Sequence, residues 1–477
     1  MIEAKIGQAL GQALPSPIDD PEIEERVQVA VADSGRKVIA LDDDPTGVQT
    51  VHGVAVLARW DSEALAAELR NDGTLFFILT NSRALPEARA VALNRQIARN
   101  LLNASRDTGV PFVVASRSDS TLRGHFPAET DALAAVLGGV DGVLICPAFF
   151  EGGRVTAGDV HFVRDGDQFV PAAATEFARD ATFGYSAETL PGWVEEKSHR
   201  RIKAAEVASL TLEEIRGGGQ IRVAEQLRDI RDGQPVIVNA LDYQDLWTVV
   251  LGLLQVEAEG KRFLYRTGAS FVRARAGIGA RPLLRRSKLL GENALRPARG
   301  LVVVGSHVRR TTEQLQQLLL DPDMTGIEVA VSELFQGDDD RDQEIARVRR
   351  LTDDAITTGR TAVVYTSRQV ERPAGVEELV VARGVSDALV AIVRGIETRP
   401  DFVVGKGGIT SSDVGTLGLG AERATVVGQV RPGVPVWRLG PESRFPTMPY
   451  IVFPGNVGEV ETLAEIVAEL IGSQHGA

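Results

Sequence analysis

The chain has 477 residues, more than one hydrophobic core accommodates, so we expect two or three domains. Its hydrophobic fraction of 44% and charged fraction of 25% are typical of a globular protein, and its net charge of −13 argues against a general nucleic-acid binder and against adhesion to an anionic membrane. The single Cys146 excludes an internal disulfide framework and a thiolate zinc site. No apolar run reaches the ~18 residues of a membrane span, and the acidic N-terminus is unlike a targeting peptide, so we expect a cytoplasmic protein.

The predicted elements begin with a helical arm over residues 1–36. From Lys37 onward, short β-branched runs alternate with polar segments of helical period, which predicts an α/β domain with a mostly parallel sheet flanked by helices. Its predicted strands are Val38–Leu41, Val54–Leu57, Leu75–Leu79, Phe112–Ala115, Gly142–Ile145 and Val236–Asn239. Residues 159–200 are less regular, and we expect them to form substrate-side loops.

Residues 273–300 carry seven Arg and one Lys against one Glu, together with Pro and Gly. Such a segment between two α/β blocks predicts an interdomain connection. The same rhythm then resumes and predicts a second α/β domain over 301–477. Its predicted strands are Leu301–Val304, Ile327–Val331, Thr361–Tyr365, Phe402–Val404, Val434–Arg438 and Tyr450–Phe453. We expect an interdomain cleft between this domain and the first, 37–272.

The strand Val38–Leu41 runs directly into the acidic turn Asp42-Asp43-Asp44-Pro45-Thr46-Gly47. Ligands of open α/β sheets bind beyond the carboxyl ends of the strands. Adjacent carboxylates repel one another there unless a cation or a donor-rich ligand lies among them. The turn is therefore our first candidate for the chemical centre, and the alternative is a solvated turn that caps a helix.

Three further loops of the first domain follow predicted strand ends, so all could line one crevice. They are Thr80–Arg83, Ser116–His125 and Pro147–Arg154. Together they offer carboxylates, hydroxyls and guanidiniums, a mixture that suits a small oxygen-rich anion, because Arg pairs bidentately with a carboxylate and Ser, Thr and Asp bind hydroxyls.

The second domain has glycine loops at its strand ends. Gly305-Ser306 precedes a helix whose Thr311 and Gln314 form a capping-box pattern, and the other two loops are Gly405–Asp413 and Phe453–Gly458. Glycines admit close approach of the backbone to phosphate, and a following helix N-terminus attracts it. None is a Walker A loop or a Rossmann fingerprint. Three such loops predict a nucleotide-phosphate site.

At these residues the chain resembles the four-carbon acid sugar kinase family. The matching segments are Asp43–Gly47, Asn81–Ala84, Arg117–His125, Pro147–Arg154, Gly305-Ser306, Gly407–Ser411 and Gly455–Gly458. The resemblance implies a sugar-acid-binding domain followed by a nucleotide-binding domain, and ATP-dependent phosphorylation of a hydroxyl of threonate, erythronate or 3-oxo-tetronate with ATP and Mg²⁺. The chain departs from the family at Pro45 (Leu in the family), Arg117 (Lys), His125 (Asn) and Ile409 (often acidic).

This reading assigns a role to three groups of residues. The expected catalytic residues are Asp43, Asp44 and Asp119, with Asp43 or Asp44 as the base or a metal ligand. The expected substrate-binding residues are Thr46, Gly47, Arg83, Ser120, Thr121, Arg123, His125 and Arg154. The expected nucleotide-binding residues are Ser306, Gly407, Gly408, Ile409, Thr410, Ser411, Gly455 and Asn456. The expected partners are the sugar acid and ATP, without nucleic acid or membrane, and a homo-oligomer is left open.

Two alternatives remain open from the sequence. Asp42-x-Asp44-x-Thr46 after an apolar strand is also the pattern of haloacid-dehalogenase-type phosphatases, in which Asp42 would form an aspartyl-phosphate and Asp44 would act as acid and base. That enzyme needs a Lys and a later acidic pair, and no convincing set precedes Gly300. The second alternative is a non-catalytic sensor that binds a sugar acid or a nucleotide.

Overall fold

Buried apolar runs form the central strands of both units of the chain. In the computed structural model the first unit is Met1–Ala280 and the second is Arg281–Ala477. The structure describes residues 2–368 and 378–472. In the first strand, successive residues Val38, Ile39 and Ala40 point to opposite faces of the sheet and are all fully buried. A strand that is apolar on both faces is typical of a parallel sheet covered by helices on both sides.

The N-terminal unit is built from eleven strands and nine helices in the part of the chain that the structure describes. The strands are β1 Lys37–Asp42, β2 Val54–Leu57, β3 Leu75–Leu79, β4 Phe112–Arg117, β5 Gly142–Cys146, β6 Arg154–Ala157, β7 Val160–Asp165, β8 Gln168–Pro171, β9 Ala208–Leu210, β10 Gln234–Val238 and β11 Phe263–Thr267. The helices are α1 Ile2–Leu10, α2 Ile23–Asp33, α3 Ser62–Leu69, α4 Glu87–Thr108, α5 Ala128–Val136, α6 Leu190–Lys197, α7 Leu212–Asp229, α8 Tyr243–Ala258 and α9 Ala269–Arg275.

Eight of these strands form a parallel sheet in the order β2-β3-β1-β4-β11-β5-β10-β9. Helices α3 and α4 pack on one face, where Ile39, Leu65 and Ile97 belong to one buried cluster. Strands β6, β7 and β8 form a separate antiparallel sheet. The N-terminal arm contributes α1 and α2, and the side chains of Ile6 and Val27 are fully buried.

The C-terminal unit has a seven-stranded sheet. Its strands are β12 Gly300–Val304, β13 Met324–Val329, β14 Thr361–Thr366, β15 Phe402–Lys406, β16 Arg423–Arg431, β17 Val434–Leu439 and β18 Pro449–Phe453. Its helices are α10 Arg286–Leu290, α11 Arg309–Leu318, α12 Asp338–Thr357, α13 Glu378–Gly395, α14 Gly408–Asp413 and α15 Thr462–Ile471. The order is β13-β14-β12-β15-β18-β17-β16, parallel from β13 to β18 and antiparallel at β17 and β16.

The predicted fold class, two α/β blocks with mostly parallel sheets flanked by helices, is confirmed. The prediction of loops over 159–200 is wrong, because this stretch contains β7, β8 and α6. These elements are only four to eight residues long, which is too short for a clear hydrophobic period. The predicted functional boundaries (37–272, 273–300 and 301–477) and the interdomain cleft stay predictions.

Candidate functional site

The carboxyl ends of five neighbouring strands meet at one edge of the N-terminal sheet. Asp42 at the end of β1 is in register with Leu79 and Arg117, and Thr267 at the end of β11 is in register with Arg117 and Cys146. The loops that follow β1, β3, β4, β5 and β11 therefore begin at the same level. The structure brings together the acidic turn and the three loops that the sequence placed at strand ends.

Asp42, the last residue of β1, lies buried beneath the loops at this edge. Its carboxylate is only 1% exposed and pairs with the guanidinium of Arg117, Nη1 to Oδ1 3.2 Å. Burial raises the pKa of Asp42 to about 8, although Arg117 opposes the shift. The backbone of Gly47 packs so closely on this carboxylate that a Cβ at residue 47 would overlap it. A phosphoryl group would have no access to Asp42, which argues against the aspartyl-phosphate of the phosphatase alternative.

Asp43 is the carboxylate at this edge that lacks a partner. The residue is 4% exposed, and neither of its carboxylate oxygens accepts a hydrogen bond from the described residues. Burial raises its pKa to about 6, with Arg83 opposing the shift. Gly124, at φ +123°, leaves room beside it, since a Cβ there would lie 3.2 Å from Oδ2. A buried acceptor without a donor is costly, so Asp43 is the group most in need of a ligand.

Asp44, by contrast, already has donors on both oxygens. The backbone N–H and the hydroxyl of Thr46 donate to Oδ1 at 2.9 and 2.6 Å, and Arg83 donates to Oδ2. Burial favours the neutral acid, but Arg83 and Thr46 outweigh it and hold the pKa of Asp44 below its ordinary value. Asp44 therefore stays ionised and fixes Arg83.

Asp119 joins the loop after β4 to the same arginine. Its Oδ1 lies 3.6 Å from Nη1 of Arg83, and its Oδ2 accepts from Nε of Arg123 at 2.7 Å and from the hydroxyl of Thr121. These partners outweigh burial and hold the pKa of Asp119 well below its ordinary range. Arg123 also lies 3.7 Å from Asp180. Arg83 and Arg123 are thus committed to carboxylates of the chain.

Arg154 is less fully committed. It begins β6, its guanidinium lies over the ring of Phe149 at 5.4 Å, and Nη1 donates to the carbonyl of Gly152 at 3.2 Å. Its Nε is buried without a partner, and no carboxylate of the described residues lies at ion-pair distance. Burial lowers the pKa of Arg154 while Asp119 opposes the shift. A partly buried cation with no ion-pair partner favours binding of an anion.

Three residues outside the predicted site residues hold the loop after β4 in place, and the sequence analysis did not single out two of them, Arg266 and Tyr185. Arg266 in β11 is 1% exposed and donates to the carbonyls of Asp119 and Arg123, both at 3.2 Å. Buried His161 contacts the carbonyl of Ser120 through Nε2 at 2.7 Å, and the hydroxyl of Tyr185 donates to the carbonyl of Thr121 at 3.1 Å.

Burial lowers the pKa of His161 to about 3, so the ring is neutral and supports the loop rather than carrying charge. Ser120 and Thr121 are themselves buried. His125 is also buried and contacts the carbonyl of Leu85 through Nε2 at 2.8 Å, with its ring edge-to-face with Phe183. Among the predicted substrate-binding residues, Ser120, Thr121 and His125 are thus buried within the loops at this edge of the sheet. Arg154 is the one with an unused hydrogen-bond donor.

The C-terminal unit repeats this arrangement of strand ends. Val304, Lys406 and Phe453 end β12, β15 and β18 and stand side by side in register. The three predicted glycine loops therefore start together. Gly407, at φ +118°, packs against the Cβ of Ser306, and a Cβ at Gly455 would lie 3.3 Å from the hydroxyl of Ser306. The structure brings Ser306, Gly407 and Gly455 into one cluster.

The remaining predicted nucleotide-binding residues divide into exposed and supporting ones. Ile409, next to Gly408 in α14, is 60% exposed, and Asn456 is also exposed. Ser411 is fully buried, its hydroxyl donates to the carbonyl of Gly405 at 2.6 Å, and its carbonyl accepts from Tyr450. The hydroxyl of Thr410 lies against Gly305, where no Cβ would fit.

The capping box predicted from Thr311 and Gln314 is wrong. Helix α11 begins at Arg309, two residues before Thr311, so neither residue stands at the position that a capping box requires. Both side chains are fully buried and donate to carbonyls of the loop after β18. Arg368, which follows β14 and was not singled out, donates to the carbonyl of Ser306 at 2.7 Å.

Comparison with known proteins matches both units. Residues 38–275 match the model of a sugar-binding N-terminal domain, and residues 301–463 match the model of a nucleotide-binding C-terminal domain. The chain belongs to the four-carbon acid sugar kinase family. The family resemblance seen in the sequence is thereby confirmed. A D-erythronate kinase of Heliobacterium modesticaldum is 31% identical over 150 residues, which cover 30% of this chain and 32% of that protein.

Two solved structures have the same fold as this chain. A Salmonella typhimurium LT2 protein named as a tRNA synthase has a TM-score of 0.64 at 16% identity, covering 92% of this chain and 100% of its own. A Haemophilus influenzae protein has a TM-score of 0.59 at 15% identity, covering 90% and 99%. At such identities the likeness describes the fold alone.

Two features of the described residues, 2–368 and 378–472, concern membranes and metal ions. None of their helices is long and apolar enough to cross a membrane. They also contain no group of three or more His, Cys, Asp or Glu side chains arranged to hold a metal ion. A magnesium ion that arrives bound to nucleotide phosphates needs only one or two carboxylates from a protein.

Proposed function

We propose that the protein transfers the γ-phosphoryl group of MgATP to a hydroxyl of a four-carbon sugar acid such as erythronate, threonate or 3-oxo-tetronate. The sugar-binding and nucleotide-binding domain models and the D-erythronate kinase relative support this activity. The observation that carries the proposal is the chemistry of the N-terminal edge, where a partnerless carboxylate, Asp43, and a partly uncommitted arginine, Arg154, occur in one group of loops.

Arg154 is the proposed ligand of the acid's carboxylate. Its guanidinium has an unused donor, Nε, and no ion-pair partner among the described carboxylates. A substrate carboxylate would supply the acceptor and the negative charge that the site lacks. Arg83 and Arg123 are held in fixed positions by Asp44 and Asp119. They are proposed to face the transferred phosphoryl group and to stabilise its negative charge.

Asp43 is the proposed general base. A base works best when its pKa lies near the working pH, and burial has raised the pKa of Asp43 to about 6. In the step, a substrate hydroxyl gives its proton to an oxygen of Asp43, the hydroxyl oxygen bonds to the γ-phosphorus, and ADP leaves with the electrons of the broken P–O bond. Asp44 suits this role less well because donors already occupy both of its oxygens.

The nucleotide is proposed to bind at the glycine loops after β12, β15 and β18. Glycine at 407 and 455 keeps the backbone approachable, and Ser306 adds a hydroxyl beside both. Mg²⁺ belongs to the proposal as part of the substrate MgATP. Its charge would neutralise the phosphates during transfer.

A coupled assay of ADP release with MgATP tests this function. The acceptors are D- and L-erythronate, D- and L-threonate and 3-oxo-tetronates, run on the wild type and on Asp43→Asn. We expect release with at least one acid and a loss of about 10²- to 10⁴-fold in the variant, as is usual when a general base is removed. Equal rates in both proteins would refute Asp43 as the base.

The same assay separates the alternatives. Hydrolysis of phosphate esters without nucleotide would favour the phosphatase. Acid binding without ADP release from any acceptor would favour the sensor.

A further inference from the structure

Four carbonyl groups of the loop after β18 accept hydrogen bonds from three buried side chains. The amine of Lys406, at the end of β15, donates to the carbonyls of Pro454 and Gly455 at 2.6 and 3.1 Å. The hydroxyl of Thr311 donates to the carbonyl of Gly455 at 3.0 Å. The amide of Gln314 donates to the carbonyls of the two remaining residues, Val457 and Glu459, at 3.0 and 2.7 Å.

These donors are fixed in place. Lys406, Thr311 and Gln314 are each 0% exposed. The amine of Lys406 also lies 4.0 Å from the centroid of the Phe453 ring, and burial lowers its pKa to about 7. A phosphate could reach this amine only after the loop had given up two carbonyl contacts. Lys406 is therefore unlike a lysine that extends from a glycine loop to the phosphates.

The inward direction of the carbonyls determines where the N–H groups point. The peptide bonds of this loop are trans, and in a trans peptide the C=O and the following N–H point in opposite directions. The N–H groups of Gly455, Asn456 and Gly458 therefore each point away from the side chain that holds the preceding carbonyl. None of these N–H groups has an acceptor among the described residues. Backbone N–H groups that lie close together in a loop without acceptors can bind an anion.

We propose that Lys406, Thr311 and Gln314 are positioning residues that orient the N–H groups of the 454–459 loop toward the phosphates of the nucleotide. The inference rests on the proposed function, since it takes nucleotide as the ligand of this unit. It adds that phosphate affinity depends on side chains that never touch the phosphate. Loss of the Lys406 amine leaves the carbonyl of Pro454 unpaired, and loss of the Thr311 hydroxyl leaves the carbonyl of Gly455 with one donor in place of two. In both cases the loop is held less firmly, and its N–H groups lose their fixed orientation.

The test uses the full chain and two variants of different severity. Thr311→Val keeps the side-chain shape and removes one donor, and Lys406→Met keeps the length and removes two contacts. Thr352→Val is the matched control, because Thr352 is equally buried in the same unit and its hydroxyl contacts only its own helix. Titrations with ADP and with adenosine at millimolar concentration separate phosphate binding from nucleoside binding.

We expect the affinity for ADP to fall about threefold in Thr311→Val and about tenfold or more in Lys406→Met, in line with the usual worth of buried hydrogen bonds. The affinity for adenosine and the KM for the sugar acid should stay within twofold, and Thr352→Val should match the wild type. In the wild type, ADP should slow hydrogen exchange in peptides spanning 454–459.

Two results would overturn the inference. One is unchanged ADP affinity in both variants, and the other is an equal loss for ADP and adenosine, which would indicate general damage to the unit. A wild-type protein that binds neither ADP nor ATP would instead refute the proposed function, and this inference with it. Should Lys406→Met fail to fold, the comparison of Thr311→Val with Thr352→Val still decides.

Discussion

Replacing Asp43 by Asn should make the protein more stable at pH 8 while removing the proposed kinase activity. In the wild type the Asp43 carboxylate is buried without a hydrogen-bond partner, so the folded protein bears the cost of holding a charge there. The amide has the same shape and no charge. Active sites often carry such costs because function requires groups that the fold alone would not select.

The size of the gain follows from the pKa. Burial moves the pKa of Asp43 from 3.8 to about 6 in the folded protein, and at about 1.4 kcal/mol per pKa unit this corresponds to about 3 kcal/mol. Because the folded pKa lies above the unfolded one, the contribution to stability is fully present below the unfolded pKa and is lost as the pH rises through about 6. The variant does not titrate at this position. Its advantage should therefore be about 3 kcal/mol at pH 8 and about half of that at pH 5.

Urea unfolding at pH 5, 6.5 and 8 measures this difference. Tryptophan fluorescence is a suitable signal, since Trp60, Trp193 and Trp247 lie in the N-terminal unit. Asp44→Asn is the matched control with the opposite sign. The pKa of Asp44 is held below its ordinary value by Arg83 and Thr46, so its charge stabilises the fold above that value and its loss should destabilise the protein at pH 8. A destabilised Asp43→Asn at pH 8, or an effect independent of pH, would refute the reasoning.

Two further substitutions test the acid-binding residue Arg154 and the packing of Gly47 against Asp42. Arg154→Met should raise the KM for the sugar acid at least about tenfold and leave the KM for ATP within twofold, because the substrate carboxylate loses a charged hydrogen-bond partner. The control is Arg164→Met, which changes an exposed arginine on the adjacent strand. A parallel rise in both KM values would contradict the assignment. Gly47→Ala should lower the thermal midpoint by several degrees, since its Cβ would overlap the Asp42 carboxylate, whereas Gly73→Ala has room and should be neutral in the same melting experiment.

The fold and the site loops were largely predictable because apolar runs mark parallel strands and ligands bind beyond their carboxyl ends. That rule directs attention to the two loops that contain Asp43 and Arg154. It does not reveal Arg266, because an arginine inside a short run such as Phe263–Thr267 makes a buried strand look like a surface segment.

The roles of Thr311 and Gln314 show a different limit. Their spacing fits a capping box, yet both side chains serve a loop more than a hundred residues later in the chain. A local pattern contains no information on such distant partners. The same holds for the choice between Asp43 and Asp44, since adjacent identical residues differ only in which donors the fold brings to them.

Arg83 contacts both Asp44 and Asp119, and so links the loop after β1 to the loop after β4. Substitutions at these two aspartates cannot be independent, because each single change leaves the guanidinium one anchor and only the double change releases it. A thermodynamic cycle over the pair should therefore show epistasis rather than additivity. Sequence variation at either position is best interpreted jointly with the other, as a property of one three-residue unit.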